Sequence, residues 1–238
     1  MKLDLLAIAA HPDDVELTCG GTLIRMIEDG YKVGILDLTE GEMGTRGSSE
    51  IRRREAAEAA RILGVHQRQN LGLPDARLEV NEANKLAVAR QVRNLRPHTV
   101  ILPYWEGRHP DHYTTSQLAY EGCFLAGLRR LPLEGEPFRP FKVLYSTVYY
   151  PVRPTFVVDI SDQFERRRQA ILAYRSQFAP PKRERRPKVH LPLDQLQDEV
   201  NMIARYYGHM IGVKYAEPFL VREVMQVDDV VKLPVRSI

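Results

Sequence analysis

The sequence predicts an α/β protein: a Rossmann-like, doubly wound, mostly parallel sheet with helices on both faces, in a single domain spanning 1–238. Three observations predict it. Apolar strand-like runs alternate with helical-period stretches through the first half, at the spacing of βαβ units. With 238 residues, 44% of them apolar, the chain supports one well-buried core and favours one domain over two. No internal repeat of about 20 to 50 residues interrupts the pattern.

Taken in order, "LDLLAIA" at the N-terminus is a buried-strand run, and the helix after Val15 carries Leu17, Leu23, Ile24 and Ile27 before Gly30 stops it. "KVGILDLT" is the second strand. "SSEIRRREAAEAARILG" is a capped helix with Ser48 or Ser49 at its start and Gly64 at its end. A short third strand lies near "HQRQNLGL", a helix spans about Glu82 to Leu95, "HTVILPY" is a fourth buried strand, and "YTTSQLAYEGCFLAGLRRL" is the next helix. These elements make a Rossmann-like core over 1–131. Residues 132–238 complete it with strands "KVLYSTVYY" and "TFVVDIS", a helix from about Asp162 to Tyr174, a basic proline-rich loop over 179–192, a helix from Leu193 to Ile211 and a final strand "PFLVREVM".

Composition narrows the function classes. A formal charge of +3, dispersed along the chain, does not make a nucleic-acid binder. The N-terminus has no secretory pattern, and no run approaches the roughly 20 apolar residues of a membrane span. Cys19 and Cys123 are far apart and outside any CxxC pair, which points to free thiols and a reducing, cytoplasmic setting.

The chemistry is concentrated in two turns. "AHPDD" places His11, Asp13 and Asp14 around Pro12, and "GRHPDH" places Arg108, His109, Asp111 and His112 around Pro110. In an open doubly wound sheet the site lies beyond the carboxyl ends of the strands where their order reverses, so loops after strands one and four should meet there. Each proline stiffens the preceding histidine toward an extended conformation. Two imidazoles with one carboxylate suit zinc and leave one coordination position open. His11 pairs with Asp14 by spacing, whereas His109 and His112 are both open as the second imidazole. Asp13 is then free as a base toward water that zinc acidifies to a pKa of about 7, and the expected reaction class is metal-assisted hydrolysis.

"AHPDD" with "GGTL" in the following helix and "HPDH" about a hundred residues on resembles the zinc-dependent deacetylases that include the GlcNAc-phosphatidylinositol deacetylases and the mycothiol and bacillithiol pathway enzymes. "TRGSSEIRRREA", "AYRSQF" and "GVKYAEPF" extend the similarity over nearly the whole chain, most closely to the bacillithiol branch. The resemblance implies one Zn2+ per chain held by His11, Asp14 and His112, with Asp13 as general base. It implies that His109 is an imidazolium that steadies the oxyanion or protonates the amine, with Asp111 orienting its ring. It sets Arg52 against the sugar, and it implies a homo-oligomer, a hexamer. The implied activity is removal of acetate from a small-molecule GlcNAc conjugate, N-acetylglucosaminyl L-malate in bacillithiol biosynthesis. A chitooligosaccharide or an inositol glycoside is the alternative substrate. Arg108, beside His109, is the residue we expect to select a carboxylated aglycone.

Plainer roles compete for several residues. Asp13 or Asp14 suits the N-cap of the helix near Val15. Glu16 reads as a first-turn helix residue, Gly20 and Gly21 as close-packing positions, Cys19 as a small buried residue, and Met43 with Tyr149 and Tyr150 as packing. "EGEMGTRG" lacks the P-loop lysine and reads as a wall of the sugar pocket. At least one of Arg52, Arg53 and Arg54 should face solvent. A nucleotide-binding module is disfavoured because Asp13 and Asp14 would repel a pyrophosphate. A basic adaptor using Lys182 to Lys188 is a further rival.

Overall fold

The first strand shows how the sheet obtains two apolar faces. In the computed structural model, which describes residues 1–147, 150–178 and 193–235 (193–197 by backbone only), β1 (Leu5–Ala9) sends Leu6 and Ile8 into one core and Leu5, Ala7 and Ala9 into the other. This is the period-two alternation of a strand covered on both sides. Tyr149, His190 and the basic loop 179–192 with Lys182 and Lys188 lie outside the described residues.

Strand β1 pairs in parallel with β2 (Val33–Thr39) on one side and with β4 (Thr99–Pro103) on the other, with Leu6 opposite both Gly34 and Val100. Beyond β2 lies β3 (Gln67–Leu73), and beyond β4 lies β5 (Lys142–Ser146), both parallel. Two antiparallel strands, β7 (Ala216–Leu220) and then β6 (Phe156–Asp159), close the edge. The order β3-β2-β1-β4-β5-β7-β6 reverses direction at β1, so the loops after β1 and β4 leave the same edge side by side.

Helices cover both faces. On one face α4 (Glu82–Leu95) and α5 (Pro110–Ala126) bury Val88, Val92, Leu95, Leu118 and Ala119. On the other, α1 (Asp14–Thr18), α2 (Gly20–Glu28), α3 (Ser49–Leu63) and α6 (Phe164–Leu172) bury Leu23, Ile24, Ala59, Leu63 and Ala170. The short α7 (Arg175–Phe178) follows α6, and α8 (Leu193–Ile211) packs Val200 and Ala204 with Phe164 and Ile171. No described helix is long and apolar enough to cross a membrane.

Local chemistry sets the boundaries. The Ser48 hydroxyl accepts from the Ile51 amide, and Gly64 ends α3 at φ 79°, a conformation that costs glycine little. Asn81 caps α4 in the same way as Ser48 caps α3. Several boundaries differ from the sequence reading, among them the final strand, which was expected over "PFLVREVM" and ends at Leu220. The helix expected at Tyr113 begins at Pro110, because proline at the first turn sacrifices no hydrogen bond, so Asp111 and His112 are helical. The helix expected to run on from Val15 breaks at Cys19, φ −144°.

That break is held by one ion pair. Arg167 of α6 donates from Nε to Glu16 O (3.0 Å) and from Nη2 to Leu17 O (2.5 Å). Its partner Glu217 of β7, 3.0 Å away, accepts from the Gly21 and Thr22 amides at 2.9 and 2.7 Å. The guanidinium thus satisfies the carbonyl end of α1 and the carboxylate satisfies the amide end of α2, each matching the helix dipole. A Cβ on Gly21 would lie 2.7 Å from Ile160 Cδ1, so the close-packing reading of that glycine holds.

Candidate metal centre and active site

The loops after β1 and β4 meet. The ring centroid of His11 is 4.9 Å from that of His109 and 5.4 Å from that of His112. His11 Nδ1 lies 3.2 Å from Asp14 Oδ2, and His112 Nε2 lies 3.1 Å from Asp14 Oδ1. Against the upward pull of burial, His112 and His11 hold the Asp14 carboxyl well below the usual carboxylate range. The same carboxylate accepts the His11 backbone amide at 2.9 Å, which fixes its orientation.

Among the described residues, two triads of potential ligand atoms each lie within 4.8 Å of one another: His11, Asp14 and His112, and His11, His109 and Asp111. The first has the donor chemistry of a zinc site with one position left open. In the second, Asp111 Oδ2 is already engaged by the Ala76 amide at 2.8 Å and by His11 Nε2 at 3.3 Å.

Asp13 stands beside the first triad in an unusual backbone conformation. Its φ is 110°, strained for a residue with a Cβ, and its side chain caps no helix amide although it occupies the N-cap position. The capping role proposed for it from sequence is therefore not the one it has. Its Oδ2 accepts from Arg52 Nη2 at 3.3 Å, and burial pushes its pKa up to about 7 against the downward pull of that guanidinium. Arg52, only 4% exposed, also donates from Nη2 to the Pro12 carbonyl at 2.5 Å. Both contacts tie it to the loop that carries Asp13. Arg53 and Arg54 pair with Glu40 and Glu50 on the exposed surface.

The Asp111 carboxylate contacts His11, and its connection to His109 is through the backbone. His109 caps α5, its Nδ1 accepting from the Asp111 amide at 3.3 Å. Burial lowers the His109 pKa, and His112 and His11 lower it further. Arg108 is exposed and lines the mouth of a cavity of about 180 Å3 beside these residues. It has no hydrogen-bond or ion-pair partner among the described residues.

Two features were missed in the sequence. Asp75, after β3, places Oδ1 3.1 Å from His11 Nε2 and accepts the Met43 amide on Oδ2 at 2.9 Å. Burial notwithstanding, these contacts bring its pKa down to about 2. Its signal was positional, since it follows a third parallel strand at the same edge. The second is a buried ionic cluster: Arg68 of β3 donates to both oxygens of Asp37 (2.7 and 2.9 Å) and to Glu16 Oε1 (2.6 Å), which also accepts from Tyr174 at 3.1 Å. Glu16 is fully buried, not an ordinary first-turn residue. Met43 is 59% exposed and contributes its amide rather than packing. Burial pushes the Cys19 thiol up to about 12, unlike a thiolate ligand, in keeping with a small buried residue.

Comparison with known proteins agrees with this geometry. Residues 6–123, which carry both loops, match the family model of PIG-L, GlcNAc-PI de-N-acetylase. The diacetylchitobiose deacetylase of Thermococcus kodakarensis is 31% identical over 226 residues, covering 90% of this chain and 80% of that protein. A probable N-acetyl-alpha-D-glucosaminyl L-malate deacetylase 2 of Bacillus cereus is 26% identical over 74% of this chain and 84% of its own. The crystal structure of a conserved protein of Thermus thermophilus superposes with a TM-score of 0.86 at 44% identity, over 95% of this chain and 98% of that one. With both metal-type loops inside the family match and a named deacetylase aligned almost end to end, the chain belongs to the PIG-L/LmbE-like deacetylase family.

Proposed function

We propose that the chain is a zinc-dependent N-deacetylase that releases acetate from a GlcNAc conjugate, with N-acetylglucosaminyl L-malate as its substrate. The observation that carries the reading is the convergence of His11, Asp14 and His112 beside Asp13, a carboxylate in a strained conformation that caps nothing. His11, Asp14 and His112 would hold one zinc ion per chain, and bound there it supplies a Lewis acid for the amide carbonyl and acidifies water.

Asp13 takes the proton of the attacking water. A base raised to about 7 by burial is poised both to accept that proton and to return it to the departing amine nitrogen. Arg52 holds Asp13 and the Pro12 carbonyl in place. His109 acts as a neutral ring: its Nδ1 accepts the Asp111 amide, so its proton resides on Nε2 and is donated to the amide oxygen as negative charge develops there. Asp111 and Asp75 orient His11 through Nε2.

Arg108, exposed and unpaired among the described residues at the cavity mouth, supports a carboxylated aglycone. A chitooligosaccharide is the second reading, favoured by the 31% identity to a diacetylchitobiose deacetylase. The buried free thiols Cys19 and Cys123 support a reducing, cytoplasmic setting. The deciding experiment is acetate release from GlcNAc-malate, diacetylchitobiose, GlcNAc-inositol and GlcNAc, before and after metal removal and zinc addition. Activity on GlcNAc-malate above the other three, lost with the metal and restored by zinc, is the expected result. Turnover that survives metal removal would refute it.

A further inference from the structure

The mouth of the cavity beside the metal centre carries an aromatic wall that the proposed chemistry does not use. Tyr104 and Tyr150 both line it, together with Glu106 and Arg108. Their ring centroids are 5.5 Å apart, and Trp105 packs on Tyr104 at 4.4 Å. Arg222 lies in turn over Trp105, 4.5 Å from its ring centre. Tyr150 ends this row and is fixed from three sides. Its ring meets Tyr104, its phenol is hydrogen-bonded to the Glu106 carboxylate, and its carbonyl accepts from Thr147 Oγ1 at 3.3 Å. It nevertheless stays 39% exposed. The sequence reading gave Tyr150 a packing role, but a packing ring is covered, and this one is held still with much of its surface open. Holding a side chain in one place costs rotamer entropy, which a contact made on binding recovers.

We infer that Tyr150, braced by Tyr104, is the platform on which the pyranose ring of the substrate stacks, and that it sets the preference of the site for a cyclic amino sugar over an acyclic acetamide. The inference rests on the N-deacetylase reading above and deepens it by naming the residue that recognises the sugar ring. A glucopyranose carries its hydroxyl groups around the rim and turns axial C–H bonds to its two faces, so each face is apolar. Tyrosine matches that pattern with a flat apolar body and a polar tip. The phenol is already taken by Glu106, which leaves the ring face as the part of Tyr150 offered to a ligand. The same cavity reaches Asp14 and His112, so a sugar on this platform has its acetamide directed inward to the proposed ligands. Arg108, also at the mouth, remains for the aglycone.

Covering one sugar face removes about 50 Å2 of apolar surface from water, roughly a tenfold gain in binding. The test compares GlcNAc with N-acetylethanolamine, which keeps the acetamide and lacks the ring, on the zinc-loaded protein. Tyr150→Ala should lower kcat/KM for GlcNAc about tenfold and leave N-acetylethanolamine within about twofold. Tyr150→Phe keeps the ring and should retain most of the GlcNAc value. Trp105, the only tryptophan in the chain, should keep its emission maximum in Tyr150→Ala, which shows that a contact was lost and not the wall. Equal losses on both substrates, or no loss on either, would overturn the inference. Chemical modification gives a readout free of both substitution and turnover. Saturating GlcNAc should slow nitration of Tyr150 by tetranitromethane several-fold, read by peptide mass spectrometry, and N-acetylethanolamine should not. An unchanged nitration rate would overturn the inference whatever the variants do. GlcNAc turnover that ignores Tyr150 defeats this inference alone. If the zinc-loaded protein hydrolyses no GlcNAc conjugate, the hydrolase reading fails, and protection from nitration still decides whether a sugar stacks here.

Discussion

The Asp111 carboxylate lies 3.3 Å from His11 Nε2, the ring nitrogen opposite the one that faces Asp14, and it shares that nitrogen with Asp75 at 3.1 Å. Two carboxylates therefore bear on one imidazole, fixing its tautomer and raising its donor strength. Asp111→Asn and Asp75→Asn should each weaken zinc binding by about 10- to 100-fold, measured by competition with a chromophoric chelator. If Asp111→Asn kept full zinc affinity and lost only turnover, the carboxylate would be serving His109.

Asp13→Asn should keep the metal and lose about 10²- to 10⁴-fold in kcat, because it removes a base without removing a proposed ligand. Asparagine also tolerates the left-handed backbone at φ 110° better than most residues, so the loop should survive the change. His112→Ala should instead lose the metal. Metal analysis and steady-state kinetics on the same samples separate the two, and normal turnover by zinc-loaded Asp13→Asn would dismiss the role given to Asp13.

Arg68→Leu leaves Asp37 and Glu16 buried without their cation, at a cost of about 3 to 5 kcal/mol in urea unfolding. Burial already raises Asp37, and Arg68 is the group that opposes the rise. In the variant the folded carboxyl pKa therefore stands further above its unfolded value, so folding takes up a proton. Stability should then fall as pH rises from about 4 through the raised pKa. A variant whose unfolding midpoint is independent of pH between about 4 and 8 would show that the carboxylates find other partners.

Arg108→Ala should lower kcat/KM for GlcNAc-malate by about 10- to 100-fold more than for GlcNAc, the value of one charge-assisted contact of roughly 1.5 to 3 kcal/mol. Arg108→Lys should recover only part, since it keeps the charge and loses the fork. Equal losses on both substrates would remove the support that this arginine gives to malate.

A homo-oligomer, proposed as a hexamer, should appear in light scattering as a mass near six times 27.3 kDa. The aliphatic residues it would cover are at hand: Val224 and Val231 are 98 and 89% exposed, and Val230 and Val235 are also exposed. Val231→Asp should shift the population to smaller species. A single 27.3 kDa species for the unmodified chain at micromolar concentration would exclude the assembly.

Much of the fold was legible because apolar runs, Ser48, Asn81 and the terminal glycine Gly64 each act over a few residues. The meeting of the two His-Pro-Asp turns was legible for a different reason: strand order dictates it. What escaped depends on side-chain direction across long separations. Arg68 sits on the polar strand "QRQNLGL", where nothing local distinguishes an inward arginine from an outward one. Asp75 reaches His11 across 64 residues. The contact of Asp111 with His11 also escaped, because only the folded chain shows that the first turn of α5 aims its carboxylate at the neighbouring loop.

The clamp at the Cys19 break ties the ligand loop to the far end of the chain. Asp14 opens α1, and the other end of that helix is held by Arg167, 151 residues from Glu16, which is itself braced by Glu217, 196 residues from Gly21. A fragment ending before β6 would contain every proposed ligand and still lack the splint that sets their angle. In modular terms the protein cannot be cut: its two His-Pro-Asp loops and its C-terminal third form one mechanical part, and a chimera that exchanges the tail with a relative exchanges the alignment of the candidate site as well.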